Sequence, residues 1–335
     1  LEEKQMTTFK LNVLAMMIAN GLTLFPVLSV EAQEYPSKPI TMIVPFNPGG
    51  AADATGRVVA EGLSRELGTN VLVENVGGAG GAIGTTRVKS SDSDGYTIGL
   101  GHMGTLAAAV PLAPNLAYDP MQDFKYLGLV TTSPNVVYVH KSHPATDLKS
   151  FIEYSKSDKG PPNMGHGGKG AASHVACVMF FQQIGAEANL VAYKGFGQTV
   201  TDILAERIDG GCDLLASVAP NAKAGDLRVL AIAAEKRSPV LPDAPTSAES
   251  GLPEFRTETW TGLFVPKETP DELVKVLEEA LSKVLDDPAV SERLAAIGAD
   301  VPDAQRRSST YMEELVKREI ATWTTVLAEG KAGQR

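Results

Sequence analysis

The chain has no run of clustered lysines and arginines, and its formal net charge is -10 across 335 residues. Phosphate backbones demand clustered basic side chains, so nucleic acid is not an expected partner. Cysteine is scarce: Cys177 and Cys212 are the only two. Cys177 falls in an apolar helical pattern and Cys212 at the start of a strand pattern, so two buried free thiols are at least as well supported as a disulfide, and neither sits in a context that suggests a nucleophile. There is no G-x-S-x-G elbow and no H-E-x-x-H, which removes two routes to hydrolysis. His140 and His143 lack a matching Cys, His or acidic cluster and are expected to be solvated, so no metal and no cofactor are expected. Lys169 precedes Gly170 where a P-loop needs Ser or Thr. Gly165, Gly167 and Gly170 match G-x-G-x-x-G, but Pro161-Pro162-Asn163-Met164 before them make a poor buried strand, against a dinucleotide site. Repeats and low-complexity tracts are missing as well.

The stretch from Ile40 to Gly68 organises what is present. It reads as a buried strand, Ile40 to Val44, a Pro/Gly-rich turn, Pro45 to Gly50, and a helix that Asp53 is placed to N-cap, with Val58, Val59, Leu63 and Leu67 at helical spacing and Gly68 at its end. Paired glycines, Gly49 and Gly50, let a ligand approach main-chain N–H groups, and the positive end of the helix dipole favours an anion. A small carboxylate or phosphate is the natural guest. The plainer role for Gly49 and Gly50 is to turn the corner between strand and helix.

Strand and helix patterns then alternate, which predicts an α/β chain with a parallel, doubly wound sheet. Gly77 to Gly81 open a second helix, and Gly101 to Thr105 should lie at the same sheet edge. A long extended segment, Tyr126 to Val139, is placed to cross from one lobe to another. In the second half, Pro161 to Gly170 read as a loop before a helix, Ala171 to Ile184, after Thr146 caps an earlier helix. That loop repeats the first one's logic, and His166 and Lys169 can add positive charge. Thr246 and Glu249 have capping-box spacing, Thr269-Pro270-Asp271-Glu272 starts a helix with Thr269 as N-cap, Asp287-Pro288 starts another, and Ser308 to Glu329 is a last amphipathic helix. Each helix start contributes only ~0.3 to 1 kcal/mol per charge when exposed, perhaps ~2 when partly buried, so useful affinity calls for a hinged, two-lobed binder that closes.

At the N-terminus, Lys10, the apolar Leu11 to Leu28 and then Val30-Glu31-Ala32 read as a secretory signal ending at about Ala32. A transmembrane anchor is the alternative, opposed by Asn12, Asn20 and Pro26. With no cysteine near the cleavage site, a free periplasmic protein is expected.

The blocks PITMIVPFNPGGAADATGR, VLVENVGGAGGAIGT, SDGYTIGLGHMGTLA, YDPMQDF, AYKGFGQTVTDILAERID, KAGDLRVLAIAAEKRSPVLPDAPTSAESGLP and TWTGLFVPKETP, covering about Tyr35 to Gly330, together resemble the Bug family, periplasmic solute receptors of tripartite tricarboxylate transporters (TctC-like). The resemblance implies a two-lobed type II periplasmic-binding-protein fold with a hinge between the lobes. Residues 33–134 and 258–335 would form lobe 1 and 135–257 lobe 2, with 1–32 the signal peptide. It implies a monomer that closes on a small organic di- or tricarboxylate and delivers it to integral membrane permease subunits. The ligand loop would be Phe46 to Asp53, with Phe46, Asn47, Gly49, Gly50, Ala51 and Asp53 as site residues and Gly80 and Thr105 on the same lobe. Across the cleft stand His166, Gly168, Lys169, Gly170, Ala171 and Ser217.

The chain departs from the family where Ala171 and Ala172 replace hydroxyls. It also departs in Asp213 to Gly225, which lacks a common acidic position after the strand; in some members an acid there recognises an amino group. That departure favours a carboxylate without an amine. An exported α/β enzyme acting on a carboxylate is the rival from another class, and a receptor used for signalling instead of uptake is a third possibility.

Overall fold

The computed structural model describes residues 35–159 and 161–332, with side chains described as far as 325. The body of the protein begins at Lys38, and of the unit Leu1–Ser37 only residues 35–37 are described. The expected leader, residues 1–32, lies outside the described residues.

Strand β1 (Ile40–Val44) is buried at every position but Thr41, because it lies between β2 (Val71–Asn75) and β3 (Thr97–His102), both parallel to it. Helix α1 (Ala51–Leu67) links β1 to β2, and α2 (Ala82–Lys89), entered through a tight turn at Ala79–Gly81, links β2 to β3. A wide helical turn, Gly104–Ala108, leads into the short α3 (Ala109–Leu112). The chain then runs through β4 (Phe124–His140), the longest strand.

The second α/β set follows as α4 (Leu148–Ser155), β5 (Asn163–His166), α5 (Ala172–Ile184), β6 (Asn189–Ala192), α6 (Phe196–Leu204), β7 (Gly210–Leu214), α7 (Leu215–Lys223) and β8 (Leu227–Ile232). The chain returns through β9 (Glu258–Pro266) and closes with α8 (Asp271–Asp286), α9 (Pro288–Ala296) and α10 (Ser309–Ala332).

The strand order is β2-β1-β3-β9-β4-β7-β5-β6, with β8 also on β4. The first part of β4 pairs antiparallel with β9 as far as Pro134↔Glu258, while from Asn135↔Leu214 onward it pairs with β7 and, on its other edge, with β8. One strand therefore belongs to both lobes, and β4 with β9 carries the chain between them. The expected parallel, doubly wound order holds within each lobe and not across the whole sheet. Each lobe has a parallel core, β2-β1-β3 or β6-β5-β7, but the strands that cross between lobes must reverse direction and pair antiparallel.

Several local expectations shift for physical reasons. Asn163–His166 is a strand despite its sequence, because β6 and β7 flank it and Met164 is fully buried, so tertiary context overrides weak propensity. Pro161 and Pro162 precede its first residue, where proline costs no ladder bond. The N-cap before α4 is Asp147, not Thr146, in a capping box with Ser150. Helix α8 starts one residue later than expected, with Pro270 at the N-cap and the buried Thr269 hydroxyl without a partner. Thr246 and Glu249 do exchange capping-box bonds, Glu249 N–H to Thr246 Oγ1 at 3.1 Å and Thr246 N–H to Glu249 Oε2 at 2.8 Å. His140 and His143 are buried rather than solvated. His140 ends β4 with its Nδ1 2.7 Å from Ser142 Oγ, and the turn that follows sets His143 against α4, where it meets the Tyr154 ring edge-on at 4.7 Å and its Nδ1 accepts from Ala145 N–H. Cys177 and Cys212 are both buried free thiols.

Candidate functional site

The carboxyl ends of β1, β3, β5 and β7 point toward one cavity of about 40 Å³ between the lobes. Four helices begin on its wall. Gly50 and Ala51 start α1, Ala171 and Ala172 start α5, Gly195 and Phe196 start α6, and Leu214 precedes α7. None of the four N-cap residues, Gly50, Ala171, Gly195 and Leu214, caps its helix with a side chain. Helix starts without side-chain caps leave N–H groups for a ligand and add their dipoles.

The first loop is held from behind. Asp53 is not the N-cap of α1; it sits in the first turn and reaches back, its Oδ2 accepting from Gly49 N–H at 3.1 Å. Its Oδ1 accepts from Asn75 Nδ2 at 3.0 Å and faces the Arg57 guanidinium at 2.8 Å. Burial pushes the Asp53 carboxyl up, but Arg57, the Gly49 N–H and Asn75 outweigh it and hold its pKa below the usual range. Asn75 also donates to Phe46 O at 3.0 Å. The loop that presents Gly50 is thus tied at Phe46, Gly49 and Asp53.

The lobes touch around the cavity. Ala51 N–H donates to Ser217 Oγ of the second lobe at 2.9 Å, and Asn47 N–H donates to Lys194 O at 3.3 Å. Gly80, in the left-handed conformation at φ 66°, packs so closely on the Lys169 carbonyl that a Cβ there would overlap it.

Of the residues singled out from the sequence, Phe46, Gly50, Ala51, Ala171 and Ser217 line the cavity. Asn47, Gly49, Asp53, Gly80, Gly168 and Gly170 shape the loops around it, and Thr105 is buried behind His102, its hydroxyl accepting from His102 N–H. Two expected positive charges are corrected. His166 is buried, its Nδ1 accepts from Gly168 N–H at 3.1 Å, and burial lowers its pKa, so it is a neutral ring. Lys169 is exposed and turns to a separate hollow of about 490 Å³ walled by Ala82, Ile83, Leu112 and Leu116.

Among the cavity residues not singled out from the sequence, two carry titratable side chains, His102 and Asp213. His102 stacks on Phe46 with ring centroids 5.0 Å apart, and its Nδ1 accepts from Gly104 N–H at 2.9 Å. Burial lowers its pKa to about 4, so the ring is neutral with its proton on Nε2. Asp213, at the end of β7, is buried in the cavity wall. Desolvation raises its pKa to about 6, although the Leu214 N–H, 2.7 Å from Oδ1, and the Ser217 hydroxyl pull it back. The GHMGT loop was visible as a motif, but which of its side chains faces inward was not. Asp213 opens the segment that was expected to offer no acid after the strand; its place in the cavity wall corrects that expectation, and a ligand without an amine no longer follows from it.

Two α/β lobes joined by crossing strands, with helix starts converging on a small cavity between them, define a two-lobed solute-binding receptor. The chain belongs to the tripartite tricarboxylate transporter receptor family, TctC, whose model matches residues 55–329. MatC from Rhodopseudomonas palustris, solved with bound malate, is 36% identical and superposes with a TM-score of 0.83, covering 87% of this chain and 99% of MatC. A second R. palustris protein, solved with adipate, is 30% identical with a TM-score of 0.84, covering 89% and 99%. The periplasmic binding protein BugD is 34% identical with a TM-score of 0.84, covering 89% and 99%.

Proposed function

We propose that this protein is an extracytoplasmic receptor that captures a small organic carboxylate by lobe closure and delivers it to the membrane permease subunits of a tripartite transporter. The carrying observation is the convergence of four helix starts without side-chain caps on one cavity. At ~0.3 to 2 kcal/mol each, they supply roughly 1 to 8 kcal/mol to one anionic group. Only the upper end, which requires burial, reaches about micromolar affinity. Closure is therefore part of binding. Residues 135–257 act as the moving second lobe, with β4 and β9 as the hinge strands and the loops from Phe46 to Asp53 and from His166 to Ala171 as the jaws. The protein works in the periplasm as a monomer, without metal or cofactor. The malate and adipate held by the two R. palustris proteins support a carboxylate guest here.

A thermal-shift screen over mono-, di- and tricarboxylates, followed by small-angle scattering with the best ligand, tests this. A bound acid at one hundred times its Kd should add about 2.7 kcal/mol of stability and reduce the radius of gyration. A panel with no stabilising acid would sink the proposal.

A further inference from the structure

The hollow of about 490 Å³ to which Lys169 turns lies outside the ligand cavity and shares none of its lining residues. It opens between α2 and the segment that leads from α3 to Ala117. Ala82, Ala109 and Ala113 are too small to fill the space, and Ile83, Leu112 and Leu116 give it apolar walls. Ile83 is 53% exposed, so a large apolar side chain is left at the surface on the rim of a concave site. Volume and lining fall within the range of small-molecule sites, which are mostly apolar with a few polar groups to fix orientation.

Its charge is one-sided. Among the described residues no Asp or Glu lines the hollow; Lys169 is the one ionisable group there, and it makes no ion pair. A cationic guest would be repelled, and an uncharged one would leave the ammonium unanswered. A dianion would set its second charge against Ile83, Leu112 and Leu116. One negative charge on an apolar body satisfies both the ammonium and the walls. An anionic membrane surface offers the same chemistry, but a chain with a formal net charge of -10 is repelled by it, which favours a soluble acid.

We propose that this hollow is a second binding site, for a soluble amphipathic monoanion whose carboxylate pairs with Lys169 and whose chain of about six to eight carbons lies against Ile83, Leu112 and Leu116. Closure completes the site. The apolar walls belong to the first lobe, whereas Lys169 belongs to the second, where its carbonyl meets Gly80 and the neighbouring Gly170 lies against Ala109. A guest held by both lobes favours the state in which they meet, so it tightens the cleft ligand by the same factor by which the cleft ligand tightens it. That coupling, unlike the site itself, rests on the lobe closure proposed above.

Calorimetric titration of the intact receptor with straight-chain acids from butanoate to octanoate, at about 0.15 M salt so that distant charges are screened, tests the site. Affinity should rise roughly two- to fourfold per methylene. Octanoate should bind at least about threefold more tightly than octylammonium, an order that Lys169→Glu reverses. Ile83→Glu, which sets a like charge on the apolar wall, should weaken octanoate at least about tenfold while the best di- or tricarboxylate from the thermal-shift screen binds as before. Saturating the cleft with that acid should leave octanoate bound, and about fivefold or more tighter. Mutual exclusion of the two, affinity that ignores chain length, equal binding of octylammonium, or wild-type octanoate affinity in a folded Ile83→Glu overturns the second site and leaves the receptor function standing. Receptor that pelleted with anionic lipid vesicles and bound no free octanoate would overturn it as well. An octanoate affinity that the cleft ligand does not change overturns the coupling. The chain-length, charge and competition comparisons need no variant, so they decide the matter even if Ile83→Glu folds poorly.

Discussion

Gly80 offers a test of closure with its own internal control. It occupies φ 66°, ψ 19°, and an added Cβ would run into the Lys169 carbonyl of the opposite lobe. Gly68, at the end of α1, occupies φ 65°, ψ 18°, and a Cβ there meets nothing within 4 Å. Alanine at either site carries the same left-handed backbone cost, about 1 to 2 kcal/mol. That cost is present whether the lobes are open or closed, so it lowers melting temperature and cancels from the closing equilibrium. The overlap with Lys169 exists only when the lobes meet. Overpacking of this kind costs roughly 1 to 3 kcal/mol, which is roughly a 5- to 150-fold rise in Kd. Gly80→Ala should therefore lose affinity by that factor, while Gly68→Ala binds as wild type and both melt at similarly lowered temperatures. Calorimetry with the acid that performs best in the thermal-shift screen reads the first effect, and calorimetric melting without ligand the second. Equal affinities for the two variants would mean that Gly80 and Lys169 do not approach each other when ligand binds, and the closure mechanism would be wrong.

Two further predictions follow from the same cleft. Ser217→Ala removes the acceptor of the Ala51 N–H across the lobes, and a net loss of about 0.5 to 1.5 kcal/mol should raise Kd roughly 2- to 12-fold; an unchanged Kd would show that this bond does not help hold the closed form. Asp213 binds its proton more tightly in the folded protein, at about 6 against an ordinary 3.8, so the folded state holds more protons between those values and stability falls as pH rises through that window. Above it the buried charge costs up to ~3 kcal/mol, and Asp213→Asn should melt higher than wild type at pH 7.5 and alike near pH 4; a variant less stable at pH 7.5 would contradict a strained carboxylate.

The first strand, turn and helix were legible because each rests on a local rule: a run of apolar residues, a turn of Pro and Gly, and helical spacing ended by Gly68. The crossing strand was legible as a long extended pattern and is β4, Phe124–His140. Asn163–His166 was not, since its strand character comes from β6 and β7 on either side and not from its own residues. His140 and His143 misled for a similar reason: polar type suggests solvent, but burial is decided by what packs over them.

By itself, then, the order of residues determined the class of site, bare backbone delivered to helix starts, which is chemistry of short range along the chain. Only the tertiary structure decided that four helix starts share a cavity, that Lys169 faces outward while His102 and Asp213 face inward, and that Gly80 meets Lys169 across the cleft. Those facts join residues as far apart as Ala51 and Ser217. Distances of that kind are set when strands pair and lobes close, and no local periodicity encodes which way a side chain then turns.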